Sequence, residues 1–348
     1  MTNHMLISEG KRKGLNAVAN RGGIIAALAI DQRGALRKLF SAATGMPEDQ
    51  IPREQMEKYK QAVSRVLTPY ASAILLDPEL GLGAAKQRAT TAGLLLAYEQ
   101  TGYDKNVFGR LPRLLEGWSV QRLAEAGANG IKTLLYYSPF SAADINKIKY
   151  EWVERVGAEC AAADVPYFLE LVSYHDEIDE KGREFARIKP ETVSRSVTEF
   201  SKGQYQVDVL KVGVPVNMAF VEGFANISDD IVYTREEANE HFRAASVAAT
   251  KPFIYLSEGV SNELFAATLE LASEAGATFS GVLCGRATWK DGVAVFARHG
   301  MDELESWLRG EGARNIQRVN SRLQKATPWW RYFDDPSGSA KLAHQGRE

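Results

Sequence analysis

Short apolar runs and helical stretches alternate about eight times along this 348-residue chain, a rhythm that limits the fold more than any other feature. The apolar runs lie at 22–30, 72–76, 94–98, 130–137, 167–172, 207–217, 252–256 and 279–284. Helical spacing is read at 52–67, 119–126 with Gly127 as a stop, 144–163, 191–200, 235–249 behind the N-cap Thr234, and 262–275 before Gly276. Strands followed by helices build a parallel sheet, and eight βα units in about 300 residues close more economically into a (β/α)8 TIM barrel than into an open sheet. The spacing predicts a single barrel domain over 1–333, entered through a polar N-terminal arm, and a mobile polar tail at 334–348.

A hydrophobic content of 45% suffices for one large core, and neither the 12 prolines nor any Gly/Ser run marks a linker. The net charge of -2 gives no basic field, so nucleic acid is not an expected partner. The first 16 residues are polar and basic, and no apolar run approaches a membrane span, so a cytoplasmic protein without membrane attachment is expected. Cys160 and Cys284 are far apart and read as small buried hydrophobes in a reducing compartment. The five histidines never fall at ligand spacing, so neither a metal site nor a cofactor is expected. Four aromatic residues within 328–333 are costly to leave in water and should pack on the barrel or on another subunit of a homo-oligomer.

The stretch Val-Asp-Val-Leu-Lys-Val-Gly-Val-Pro-Val-Asn at 207–217 places Lys211 in a strand apolar on both faces. Such a lysine either snorkels to a carboxylate or loses its proton, and the neutral amine can form a Schiff base with a ketone or aldehyde. Asp31 ends the first strand, Lys132 lies in the fourth, Glu170 in the fifth and Lys211 in the sixth. Residues two apart share a face, so two lysines and a carboxylate converge if those faces point inward. Convergence of this kind marks a functional site or an ion-pair network. Ser257-Glu258-Gly259 and Gly285-Arg286 follow the seventh and eighth strands, where TIM barrels often hold phosphate; an isolated Gly-Arg pair is otherwise a tight turn. Together these residues suggest a class I aldolase for a phosphorylated ketose. In this reading Lys211 is the nucleophile, Glu170 moves the proton of the hydroxyl that becomes the aldehyde, and the Lys132 cation helps keep Lys211 neutral.

The chain also resembles the class I tagatose-1,6-bisphosphate aldolases of bacterial lactose and galactose catabolism. The resemblance runs from about Gly23 to about Trp330 and rests on several segments together. They are Gly-Ile-Ile-Ala-Ala-Leu-Ala-Ile-Asp-Gln-Arg-Gly-Ala-Leu at 23–36, Thr-Pro-Tyr-Ala-Ser-Ala-Ile-Leu-Leu-Asp-Pro-Glu at 68–79, Ala-Gly-Leu-Leu-Leu-Ala-Tyr-Glu at 92–99, Val-Asp-Val-Leu-Lys-Val at 207–212, Val-Glu-Gly-Phe-Ala at 221–225 and Val-Leu-Cys-Gly-Arg-Ala-Thr-Trp at 282–289. The resemblance implies a (β/α) barrel and metal-independent cleavage of tagatose 1,6-bisphosphate to dihydroxyacetone phosphate and glyceraldehyde 3-phosphate, with tolerance of epimeric ketoses. It implies Lys211 as Schiff-base lysine, Glu170 as proton-transfer carboxylate, Lys132 and Asp31 as polar partners, and Gln32, Ser257, Gly259, Gly285 and Arg286 as substrate contacts.

Three positions depart from the family pattern. Gly213 stands where a Glu is usual, Tyr137-Ser138-Pro139-Phe140 replaces a more acidic turn, and the tail beyond Trp330 is longer. The first removes a charge and opens space beside Lys211. Two rival readings follow: an aldolase for 6-deoxy-6-sulfofructose 1-phosphate, and a weakly active paralogue that binds sugar phosphate to regulate a partner.

Overall fold

The computed structural model describes residues 5–100, 103, 107–225 and 231–334. Eight parallel strands close into a barrel in sequence order. They are β1 (Ile25–Ala29), β2 (Ala73–Leu76), β3 (Gly93–Ala97), β4 (Gly130–Tyr137), β5 (Tyr167–Ser173), β6 (Val209–Val212), β7 (Phe253–Tyr255) and β8 (Gly281–Cys284), with β8 pairing back onto β1. Every strand is followed by at least one helix, so the fold is the (β/α)8 barrel that the alternation predicts.

The strands split their side chains between two apolar clusters, as a two-residue period requires. Ile25, Ala27, Ala29, Ala73, Leu75, Leu95, Ala97, Phe168, Val209, Ile254 and Leu283 fill the barrel interior. The alternate residues, such as Leu28, Ile74, Leu96, Leu169, Leu210 and Val282, meet the surrounding helices. A strand residue in the inward phase near the mouth therefore sits above this small apolar plug.

The N-terminal region is not an arm. Glu9–Val18 is a helix whose Leu15 and Val18 join the interior cluster from below. The segment is too polar to reveal itself, because little more than one narrow stripe faces inward. Met5–Leu6 pairs in parallel with Phe333–Asp334, and the buried Trp329 and Phe333 pack under the barrel, edge to face, in the same cluster. The aromatic segment thus packs on its own barrel, where each buried ring contributes on the order of 2–3 kcal/mol. The remainder of the expected tail, 335–348, lies outside the described residues.

Two further corrections concern helices. The stretch read at 191–200 is the second half of Arg183–Phe200, which runs through Pro190. Phe185, Ala186, Lys189, Val193 and Val197 continue one buried stripe across the proline, and that packing outweighs the missing N–H. Beyond β8, the helices Gly292–His299, Met301–Trp307 and Ala313–Asn320 fill a region in which no element was read. No helix of the described residues is long and apolar enough to cross a membrane.

Candidate active site

Asp31, Asp77, Glu99, Lys132, Glu170 and Lys211 all continue the inward phase of their strands: 27, 29, 31 in the first, 73, 75, 77 in the second, 95, 97, 99 in the third. All six are buried. The register sets Glu170 directly beside Lys211, and Lys132 beside both Ala97 and Phe168, so the convergence expected from the sequence is present.

Lys132 is the hub. Its Nζ lies 2.9 Å from Asp31 Oδ2, 2.6 Å from Glu99 Oε1 and 2.8 Å from Glu170 Oε2. The other oxygen of Glu170, Oε1, is 2.8 Å from Lys211 Nζ. Glu170 therefore bridges the two ammonium groups, and in this chain of contacts two cations meet three carboxylates.

Burial alone would pull the Lys132 ammonium down, but Asp31, Glu170 and Glu99 together hold it well above the ordinary lysine value. The charge of Lys132 is thus shared among three carboxylates. Burial drives the Glu170 carboxyl up, yet the Lys132 and Lys211 charges outweigh it and leave Glu170 below its usual value. Asp31 is held low by the same two lysines against the same burial. At Glu99 burial wins, with Asp31 adding to it, and that carboxyl is pushed up. The cluster thus holds two carboxyls below their usual range and one above it.

Several polar atoms here have no protein partner among the described residues. Asp31 Oδ1, Gln32 Oε1, Arg33 Nε and Glu99 Oε2 are buried and unbonded. Arg33, itself buried, ties the wall together by donating to Glu99 O at 2.8 Å and Glu79 Oε2 at 2.6 Å. Lys60 reaches in from the helix Arg53–Leu67 to pair with Asp77 and to donate to Ile30 O at 2.8 Å, so that Asp77 serves the wall rather than the chamber. The unbonded oxygens around Lys132 suit the hydroxyls of a polyol chain.

The expected phosphate corner also comes together at adjoining strand ends. Ser257 is buried, and burial pushes the Cys284 thiol up against the lowering influence of Thr288, Ser257 and the Lys211 charge. Gly285 lies against the Gln32 side chain: a Cβ there would stand 3.6 Å from Gln32 Nε2. Gly259 has φ +81° and lies under Arg286, where a Cβ would come within 3.0 Å of Nη2. Asp31, Gln32, Lys132, Glu170, Lys211, Ser257, Gly259, Gly285 and Arg286 therefore line one mouth of the barrel.

Sequence reasoning missed Glu99, Arg33 and the pair Lys189–Glu258, in which Nζ and Oε2 are 2.6 Å apart. Glu99 had a signal: it follows an apolar strand in the same phase as Asp31 follows β1. Lys189 had none, since it precedes the helical spacing at 191–200. The space expected beside Gly213 is not open, because a Cβ at that position would lie 2.4 Å from Glu258 Oε1.

Comparisons with known proteins show the family of the chain and agree with its barrel fold. The family model described as DeoC/LacD family aldolase matches residues 25–291. The chain is 53% identical to tagatose 1,6-diphosphate aldolase 2 of Enterococcus faecalis over 94% of its own length and 97% of that protein. It is 48% identical to a tagatose 1,6-diphosphate aldolase of Listeria monocytogenes, over 93% and 95% of the two chains. In fold it is similar to the fructose-bisphosphate aldolase of Plasmodium falciparum, with a TM-score of 0.67 at 12% identity over 94% and 99% of the chains.

Proposed function

The chain belongs to the DeoC/LacD family of aldolases, and from that premise we propose that it is a class I aldolase cleaving tagatose 1,6-bisphosphate to dihydroxyacetone phosphate and glyceraldehyde 3-phosphate. The substrate rests on what its relatives are named for; the chemistry rests on the contact of 2.8 Å between Lys211 Nζ and Glu170 Oε1 inside an apolar barrel. Glu170 accepts the proton that Lys211 must lose. The neutral amine attacks the C2 carbonyl, Glu170 returns its proton to the carbinolamine hydroxyl so that water leaves, and the resulting iminium draws electrons from the C3–C4 bond.

Glu170, held as a base by two cations, takes the C4 hydroxyl proton as that bond breaks and the aldehyde forms. The enamine then takes a proton at C3, and water releases the triose phosphate. Asp31 and Gln32 receive sugar hydroxyls on their unbonded oxygens. Arg286, seated on Gly259, and Ser257 and Gly285 beside it take a phosphate group. Lys132 holds Asp31, Glu99 and Glu170 in place. A cytoplasmic setting suits a sugar-phosphate enzyme of this kind.

Borohydride reduction in the presence of dihydroxyacetone phosphate tests the proposal. A ketose-derived mass on Lys211 is expected. Labelling at Lys132, or no labelling with full activity, overturns it.

A further inference from the structure

Gly213 stands two residues beyond Lys211 in the inward phase of β6, one strand step or roughly 7 Å toward the mouth. Its own side is covered by a carboxylate from the next strand's loop, since a Cβ at 213 would lie 2.4 Å from Glu258 Oε1. Glu258 follows Ser257 and takes φ +49°, in the left-handed region that favours glycine. A residue with a long side chain is kept there at a conformational cost, which points to use of the side chain. The other oxygen of Glu258 is 2.6 Å from Lys189 Nζ, whose side chain is only 6% exposed. The next residue, Gly259, is the seat of Arg286. One loop therefore places a carboxylate over Gly213, neutralises a buried lysine and supports the arginine of the phosphate corner.

We infer that Glu258 is a positioning residue that sets how tightly this mouth holds the anionic end of a ketose phosphate and of its triose phosphate product. It acts by offsetting Lys189, and Gly213 is the partner position that makes room for it. The inference rests on the aldolase reading and deepens it. With Glu258 in place the rim carries Lys189 and Glu258 as a neutral pair beside the Arg286 cation. Without it, Lys189 and Arg286 both attract the anion, and product leaves more slowly. A second carboxylate at 213 overlaps Glu258 and repels both it and the incoming anion. A carboxylate at 213 with none at 258 restores the balance.

Three variants of the full chain test this: Glu258→Ala, Gly213→Glu and the double variant. The readouts are calorimetric Kd values for inorganic phosphate and for dihydroxyacetone phosphate, with KM and kcat for cleavage. Glu258→Ala is expected to tighten both ligands and lower KM by roughly three- to tenfold without raising kcat, as a charge change at a partly exposed rim should. Gly213→Glu is expected to weaken both ligands about tenfold, and the double variant, which again carries one carboxylate at this rim, to return within about threefold of the parent. Glu258→Gln keeps the volume and serves if the alanine variant does not fold; it too should tighten phosphate. Unchanged or weaker phosphate binding in Glu258→Gln, or a double variant that binds phosphate as weakly as Gly213→Glu alone, overturns the inference. Phosphate affinity needs no imine, so a failure of borohydride labelling at Lys211 removes the aldolase reading without touching this result.

Discussion

Asp31 and Asp208 are both buried aspartates at barrel strand ends, one at the mouth and one at the floor, and the protein uses them in opposite ways. Asp208 precedes β6 and has both oxygens engaged: Oδ2 accepts from Tyr167 N at 2.8 Å and pairs with Lys11 at 2.9 Å, while Oδ1 accepts from Lys11 at 3.1 Å. Asp31 spends one oxygen on Lys132 and leaves the other buried without a protein partner. The floor is closed by the helix Glu9–Val18, Trp329 and Phe333. Unmet hydrogen-bonding capacity, rather than burial, separates these two aspartates, although the floor too holds unbonded polar atoms in Trp329 Nε1 and Ser280 Oγ.

The largest effect that sharpens this contrast is expected at Lys211. Lys211→Met removes the nucleophile and should cut kcat by about 10^4-fold or more, on the order of 5 kcal/mol, because no other route to the imine remains. Glu170 keeps Lys132 as a partner, so the urea midpoint should fall little. A variant that kept more than a tenth of the activity would place the chemistry elsewhere.

Next comes Lys132→Met, which leaves Asp31 and Glu99 in the interior without their paired cation and Glu170 with Lys211 alone. Breaking a buried ion pair by removing one partner typically costs about 3–5 kcal/mol, and here the loss should appear in stability as well as in rate. Partial rescue is expected from Glu99→Gln in the same chain, since Glu99 is the carboxyl that burial already pushes up. Equal stability with and without Lys132 would mean that the hub is not one.

The barrel and its site were legible to different degrees for physical reasons. Strand order could be read because the runs at β1, β2, β3, β6 and β8 are buried on both faces and so are continuously apolar. Lys132, Glu170 and Lys211 stood out as charges within such runs. Glu99 sits past its strand end, among residues that look like loop, and only the two-residue phase links it to Lys132. The N-terminal helix escaped because its inward stripe is Gly14, Leu15 and Val18 in an otherwise polar segment. Pro190 concealed the first half of its helix, and with it Lys189. The partnership of Gly213 with Glu258 joins residues on neighbouring strands, which a residue-by-residue comparison with a family pattern reads as a simple loss.

The smallest effect is expected at the floor, and its sign is the most informative. Asp31 and Glu170 are held below their usual values by the two lysines, so each contributes stability that is complete above its unfolded value, about pH 4, and is lost as pH falls through the lower folded value. Asp208 runs the other way. Burial outweighs Lys11, its carboxyl is pushed up, and the folded protein binds that proton more tightly than the unfolded chain does. Its ionisation therefore costs stability over the interval that starts near pH 4 and ends at its raised folded value. Asp208→Asn removes that cost but also the Lys11 pair, keeps an acceptor for Tyr167 N, and should change stability by no more than about 1 kcal/mol with kcat unaltered. Urea titrations between pH 3 and 7 should then show the acid-side rise of stability below about pH 4 unchanged, because it belongs to the mouth, while the opposing decline just above it disappears. Loss of the acid-side rise in this variant, or a fall in kcat, would show that floor and mouth are coupled through β6 and that the contrast between Asp31 and Asp208 does not divide the barrel by function.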